Sequence, residues 1–331
     1  MNYNKLLIVD GSFLLHRNLH QPNLFELRDH TGRRSGGVFG FMRSLNSEIK
    51  KNGSYFPVVC WDSKLSPRRI KADPHYKHAD ERDNTPEILT EEEADNDYIT
   101  QYRKQRSILI NLLDYCGVPS LRYSGVEGDD LMYLLTTMSD ESRVLTDDRD
   151  MLQLLSPNVS VRRPKADELI TYQQFLDENR FDSIYDFVCQ KAICGDGSDN
   201  IPGSAEGVGS GTALGLIKIL QKYNYTDEWI NESDNTLKEY CKSINVPYRK
   251  AYKNFNLKRF NINLELVDLS KVSNDVDEEF KNTMRATINS CRSTVDFFAL
   301  AQLLGSLDIK EVAPDEIMNN VAIRYKNLIG E

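Results

Sequence analysis

Two short apolar runs, Lys5-Leu6-Leu7-Ile8-Val9-Asp10 and Phe56-Pro57-Val58-Val59-Cys60-Trp61-Asp62, each end in an aspartate, and they constrain this chain more than any other feature. Runs of this length and polarity read as parallel strands buried on both faces. Between them Val38, Phe41, Met42, Leu45 and Ile49 recur at helical spacing, and a strand, helix, strand order builds an α/β parallel sheet. Both carboxylates then stand at strand C-terminal ends, the edge where such sheets bind ligands.

The pattern continues with a long helix carrying Tyr98, Tyr102, Leu109, Leu112, Leu113 and Cys116 near one face, after which Gly117-Val118-Pro119 opens another strand. A further helix has Leu131, Leu134, Leu135 and Met138 at core spacing and holds Glu127, Asp129 and Asp130 in its first turn; Ser142 to Thr146 reads as a strand. Residues 63–97 differ, with Lys64, Arg68, Arg69, Lys71 and Lys77 ahead of Glu91-Glu92-Glu93, and read as an exposed insertion. After about residue 180 the periodicity is helical, so two domains are expected, 1–180 and 181–331.

With 331 residues and 40% hydrophobic content, the chain can bury a sizeable core and a smaller second one. Its six cysteines show no C-x-x-C pair, and no apolar run approaches the roughly 18 residues of a membrane span. A soluble protein of a reducing cytoplasm is expected. The net charge of −9 speaks against a nucleic-acid ligand unless the acids converge on divalent ions.

Such convergence is what the acidic positions suggest. Asp10, Asp62, the Glu127/Asp129/Asp130 group, the Asp148/Asp150 pair and the Asp196/Asp199 pair make nine carboxylates at strand ends and helix starts. Glu127 and Asp130 are spaced to share a helix face; Asp148 and Asp150, in an extended segment, point the same way; Asp196 and Asp199 can face together in a turn. Any one of them alone reads as a turn or N-cap residue. Together they would repel strongly without cations, and oxygen donors without His or Cys suit Mg²⁺ or Mn²⁺ and phosphoryl chemistry. Downstream, Gly207-Val208-Gly209-Ser210-Gly211-Thr212-Ala213 precedes a helix, where backbone N–H groups can receive a phosphate.

At these residues the chain resembles the flap endonuclease superfamily of bacterial and bacteriophage 5′ nucleases, including phage RNase H. The matching stretches are Ile8-Val9-Asp10-Gly11, Trp61-Asp62, Gly117 through Asp130, Thr146-Asp147-Asp148-Arg149-Asp150-Met151-Leu152-Gln153-Leu154, and Gly195-Asp196 to Ala213, in family order. The resemblance implies a PIN-like (resolvase-like), mostly parallel sheet flanked by helices, with a helical DNA-binding domain containing a helix-hairpin-helix-type element. It implies two Mg²⁺ ions, with Mn²⁺ as a substitute: Asp10, Asp62, Glu127, Asp129 and Asp130 around one, Asp148, Asp150, Asp196 and Asp199 around the other. It further implies DNA contacts at Gly207, Gly209, Gly211 and Thr212 with a K⁺ ion at that loop. Residues 63–97 resemble the family's arch, in which Lys77 and Arg69 act on the scissile phosphate and Arg68 and Tyr76 contact DNA.

Three departures accompany the match. The loop before Gly207 is one residue longer, Ser210 to Thr212 lacks the usual lysine, and Asp147 stands beside Asp148. The expected activity is a 5′–3′ exonuclease and flap endonuclease, with RNase H activity, removing RNA primers or flaps in replication. The expected ligand is DNA or RNA/DNA with 5′ ends or flaps, bound by a monomer, with a sliding clamp or single-strand-binding protein as candidate partners. No polymerase domain follows, which points to a free-standing nuclease of the bacterial or phage-infected cytoplasm. The competing readings are a PIN-type ribonuclease, which the Asp196/Asp199 pair and the Gly207 loop disfavour, and a binding-only homologue, which should lack a ligand.

Overall fold

The computed structural model describes residues 3–79, 90–291, 295–309, 319 and 321. The tip of the expected arch, 80–89, and the segments 292–294, 310–318, 320 and 322–331 lie outside the described residues. The chain forms two compact units. One comprises Met1–Lys64, Thr85–Thr171 and Val272–Glu331; the other comprises Leu65–Asn84 and Tyr172–Lys271.

The first unit is built on a six-stranded sheet: β1 (Tyr3–Asp10), β2 (Phe56–Cys60), β3 (Ser120–Leu121), β4 (Ser139–Leu145), β5 (Val159–Arg163) and β6 (Glu168–Ile170), in the order β3-β2-β1-β4-β5-β6. All neighbours pair in parallel except β5 and β6. Leu6, Leu7, Ile8 and Val9 are fully buried, as the unbroken apolar run requires, each contributing about 1.5–3 kcal/mol of burial. Helices α1 (Gly11–Leu19), α2 (Pro22–Phe25), α3 (Gly36–Lys51), α5 (Glu91–Asn96), α6 (Tyr98–Tyr115) and α7 (Gly128–Thr137) belong to this unit, as do α13 (Glu278–Ser290) and α14 (Phe297–Ser306).

The register fixes where the site lies. Val9 pairs with Val59 on one side and Leu145 on the other, and Asp10 pairs with Cys60. Strands β1, β2 and β4 therefore end level, so that Asp10, Asp62 and the segment from Thr146 leave the sheet at one edge.

The second unit is helical: α4 (Pro67–Ala72), α8 (Tyr172–Asn179), α9 (Ile184–Cys194), α10 (Ser210–Lys222), α11 (Asp234–Ser243) and α12 (Leu257–Val267). The expected division at residue 180 differs from this arrangement in two respects. Residues from Val272 return to the first unit, where the Tyr123 hydroxyl meets Thr287 Oγ1 at 3.0 Å and its ring meets Phe280 edge-on at 5.0 Å. Residues 65–84 join the helical unit, where Arg259 pairs with Asp73 at 2.7 Å. Strands β5 and β6 were also not expected, because their short segments carry polar residues at both faces. No helix among the described residues is long and apolar enough to cross a membrane.

Candidate metal centre and nucleic-acid interface

Asp10 ends β1 and caps α1. Its Oδ1 accepts the Phe13 N–H at 2.8 Å and its Oδ2 accepts the Thr146 hydroxyl at 2.9 Å. Burial, then the neighbouring Asp62 charge, pushes its pKa up to about 7, against the opposing hydrogen bonds of Phe13 and Thr146; Asp148 adds to the rise. The following residue must be glycine, since a Cβ on Gly11 would lie 2.6 Å from Val59 Cγ1 and 2.9 Å from the Cys60 carbonyl oxygen.

Asp62, two residues beyond β2, is exposed. Its N–H donates to Ser12 Oγ at 3.0 Å, and Ser12 Oγ also accepts the Tyr102 hydroxyl at 3.1 Å. Its Oδ1 accepts the Gly128 N–H at 2.9 Å, which joins the start of α7 to the end of β2. At that start Glu127 is the N-cap rather than a residue of the first turn. Asp130 reaches back to accept the Glu127 N–H at 3.3 Å; both are buried, while Asp129 is half-buried.

Thr146 links the third strand end to the first. Besides bonding Asp10, its Oγ1 accepts the Asp148 N–H at 3.1 Å. Asp148 and Asp150 do not lie in an extended segment, as the two-residue spacing suggested. Asp148 caps the 3-10 turn Arg149–Leu154, and its Oδ1 accepts the Asp150 N–H at 2.8 Å. The extra acid Asp147 turns away, held by the Lys165 N–H at 3.0 Å and Arg163 at 3.7 Å. Thr146 and Ser12 were not singled out from sequence, although both directly adjoin the acidic motifs. Cys60 reports the resulting field: burial, then Asp10, Asp62 and Asp129, raises its thiol well above the usual range.

The first unit thus holds seven of the nine carboxylates, and the second holds Asp196 and Asp199. Among the described residues, no three His, Cys, Asp or Glu close into a ready-made metal cage. The donor chemistry of the first group nonetheless fits a hard cation, because Asp10 is buried and the charges of Asp62 and Asp148 act against its own.

The pair in the second unit has a different environment. Gly195 closes α9 at φ +71°, where a Cβ would lie 2.3 Å from the Ile201 carbonyl oxygen, and the Asp196 and Ile201 backbones exchange hydrogen bonds of 2.8 Å. Asp196 Oδ2 pairs with Lys191 Nζ at 3.0 Å, and its Oδ1 accepts the Ser198 N–H at 2.9 Å. Burial works to raise the Asp196 pKa, but the Ser198 hydroxyl and Lys191 prevail and hold it low. Asp199 Oδ2 lies 3.7 Å from Lys77 Nζ, and its carbonyl accepts the Lys77 N–H at 2.8 Å.

Of the basic residues assigned to the phosphate, Lys77 stands beside Asp199, a carboxylate of the set. Arg69 is 2% exposed, and its Nε donates to the Leu266 carbonyl at 2.9 Å; Arg68 donates to the Glu265 carbonyl. These carbonyls lie in the last turn of α12, where unsatisfied oxygens attract cations. Tyr76 is 3% exposed, with Arg69 and Lys77 at 5.9 and 5.3 Å from its ring. In this arrangement Arg68 and Arg69 fasten α4 to α12.

The glycine loop has an open face and a braced back. Gly207 adopts φ +79°, Gly209 caps α10, and a Cβ on Gly209 or Gly211 would meet nothing within 4 Å. Thr212 is held by its hydroxyl and N–H to the Gly209 carbonyl at 3.1 and 2.9 Å. Behind it, the Tyr252 hydroxyl donates to the Thr212 carbonyl at 2.7 Å, and Asn254 donates to the Glu206 carbonyl at 3.1 Å. The bracing residues come from a polar stretch with no periodic signal.

Residues 5–181 match the model of the 5′–3′ exonuclease N-terminal, resolvase-like domain. The chain is similar to a 5′–3′ exonuclease of Aquifex aeolicus, at 28% identity over 295 residues, covering 85% of this chain and 94% of that protein. It is also similar to the thermostable DNA polymerase I of Thermus thermophilus, at 32% identity over 220 residues, covering 65% of this chain but only 24% of the polymerase. Two solved structures share the fold. One is the bacteriophage T5 flap endonuclease in a pseudo-enzyme-product complex with DNA and metal ions, with a TM-score of 0.59 and 19% identity, covering 97% of this chain and 100% of that one. The other is a T5 protein co-crystallised with metal ions, with a TM-score of 0.60 and 21% identity, covering 88% and 100%.

Proposed function

The chain belongs to the 5′–3′ exonuclease family, and from that premise we propose that it hydrolyses phosphodiesters at 5′ ends and flaps of DNA and RNA/DNA with Mg²⁺ held by its carboxylates. The observation that carries this reading is Asp10, buried beside Asp62 and Asp148 at the level ends of three strands. Asp10, Asp62, Glu127, Asp129, Asp130, Asp148 and Asp150 supply the ligands of the first unit, and Asp196 and Asp199 those of the second. Such ions, when bound, activate water and neutralise charge on the reacting phosphate.

The protein's own groups do the rest. Thr146 and the Phe13 N–H hold the Asp10 oxygens in place, and the Gly128 N–H holds one oxygen of Asp62. Lys77 offers an ammonium to the phosphate being cut. The open N-terminus of α10 takes a backbone phosphate of the duplex, with K⁺ as a further ligand of that loop.

The test is cleavage of a labelled 5′-flap duplex and a labelled RNA-primed duplex in Mg²⁺ and in EDTA. Metal-dependent release from the 5′ side of both supports the reading, including its RNase H part. Cleavage restricted to single-stranded RNA favours a PIN-type ribonuclease, and metal-independent binding without cleavage would leave only a binding protein.

The α10 contact has its own expected outcome. A Gly209→Val, Gly211→Val double variant should fold normally, since nothing lies within 4 Å of either Cβ position. Its duplex Kd, measured by anisotropy at several salt concentrations in Ca²⁺, should rise about tenfold with a shallower salt slope. An unchanged Kd and slope would remove the phosphate from α10.

A further inference from the structure

Residues 203–213, which carry the glycine loop and the start of α10, contain one acid, Glu206, and no base. The first base of α10, Lys218, is already paired with Asp182 at 2.5 Å. A helix N-terminus brings only about half a positive charge, and salt screens it. A duplex backbone laid on this loop therefore meets main-chain donors but no side-chain cation from the segment itself.

A later segment of the same unit lies along the loop. The 3-10 turn Lys250–Asn254 and the residues after it are fastened there repeatedly. The Asn256 N–H donates to the Ser204 carbonyl at 2.8 Å, and Asn254 donates to the Glu206 carbonyl at 3.1 Å. A Cβ on Gly207 would lie 3.4 Å from the Ala251 Cβ, and the Tyr252 hydroxyl donates to the Thr212 carbonyl at 2.7 Å. Tyr252 and Phe255 are buried, which anchors the turn. Its basic residues divide in two. Lys253 Nζ is taken up by the Glu232 carbonyl at 2.6 Å and by Asp234 at 3.3 Å. Arg249 and Lys250, which precede Ala251, are exposed and have no ion-pair partner among the described residues. The Arg249 charge is felt at the loop: burial pushes the Tyr252 hydroxyl up to about 12, and Arg249 opposes that rise.

We infer that Arg249 and Lys250 are the cationic half of a duplex-backbone site whose other half is the uncharged start of α10. One segment then supplies the main-chain N–H groups and a separate one the side-chain charge, with the ties at Ser204, Glu206, Gly207 and Thr212 fixing the two against each other. The inference rests on the reading of the α10 N-terminus as a duplex contact and adds to it the residues that neutralise the adjoining phosphates. Its consequence is that the salt dependence of duplex binding at this site resides in Arg249 and Lys250, because release of condensed counterions follows the phosphates that basic side chains neutralise.

The test uses the full-length protein and a labelled duplex in Ca²⁺, with Kd read by anisotropy across a salt series. An Arg249→Gln, Lys250→Gln double variant should weaken binding about tenfold and lower the slope of log Kd against log salt by about two, since each neutralised phosphate contributes about 0.9. Its thermal melt should match that of the parent, because both side chains are exposed. An Arg249→Lys, Lys250→Arg variant should keep the parent slope, and Lys253→Gln should leave it unchanged. A parent-like slope in the double glutamine variant, or an equal loss per charge in Lys253→Gln, overturns the inference. The Gly209→Val, Gly211→Val variant separates this outcome from failure of the α10 reading. If it alone weakens binding, the α10 contact stands without the basic pair; if the glutamine variant alone does, the pairing with α10 is overturned; if neither does, both readings fall.

Discussion

Asp10→Asn is expected to reduce cleavage by about 10³-fold or more while making the metal-free protein more stable than the parent. Asparagine retains an oxygen to accept the Phe13 N–H or the Thr146 hydroxyl, so the cap of α1 survives. It removes a buried negative charge from the neighbourhood of Asp62 and Asp148. The gain should be on the order of 1–3 kcal/mol at neutral pH, read from urea unfolding in EDTA. The sign follows from the raised pKa. The folded protein holds a proton on Asp10 up to about pH 7, whereas the unfolded chain releases it near the ordinary carboxylate value of 3.8. Stability therefore falls as pH rises between these values, and the variant should lack that part of the slope. A variant as active as the parent, or one less stable in EDTA at pH 7.5, would contradict the assigned role.

The second large effect concerns Lys77. Lys77→Ala should lower kcat by about 10²–10³-fold on flap substrates with little change in duplex affinity. Its fold should be almost unaffected, because an ion pair with 26% and 28% side-chain exposure is worth about 0–1 kcal/mol. Lys77→Gly adds a control that separates chemistry from structure. Glycine adopts φ +50° without penalty, so its Tm should equal or exceed that of Lys77→Ala while cleavage stays equally low. Single-turnover cleavage and thermal melts of the two variants decide the point: activity recovered in the glycine variant would mean that backbone strain, and not the ammonium, was limiting.

The apolar runs before Asp10 and Asp62 were sufficient to place two carboxylates at one sheet edge, since alternation and run length are local properties and parallel strands end where the run ends. The same logic located α3, α6 and α7 and the group at Glu127, Asp129 and Asp130. It failed for β5 and β6, whose pairing is decided by the strand each lies beside, β4 for β5 and β5 for β6, and not by their own pattern. It also failed for Asp148-Arg149-Asp150, where the Asp148 side chain captures the Asp150 N–H and bends the segment into a 3-10 turn. A side-chain hydrogen bond of this kind competes with extension and has no periodic signature.

The basic residues show the same limit more sharply. Arg69 and Lys77 look alike in a list of positive charges, yet one is buried against the last turn of α12 and the other stands beside Asp199. The sequence by itself determined the donor types, the strand ends and the glycines of the α10 loop, because these depend on residue identity and on spacing within a few positions. Only the tertiary structure decided which basic residue meets which carboxylate, as in Lys191 with Asp196 and Lys77 with Asp199. The physical reason is that desolvation and charge pairing are set by what is packed within a few ångströms, and in a folded chain those neighbours come from segments as distant as His75 and Asn200.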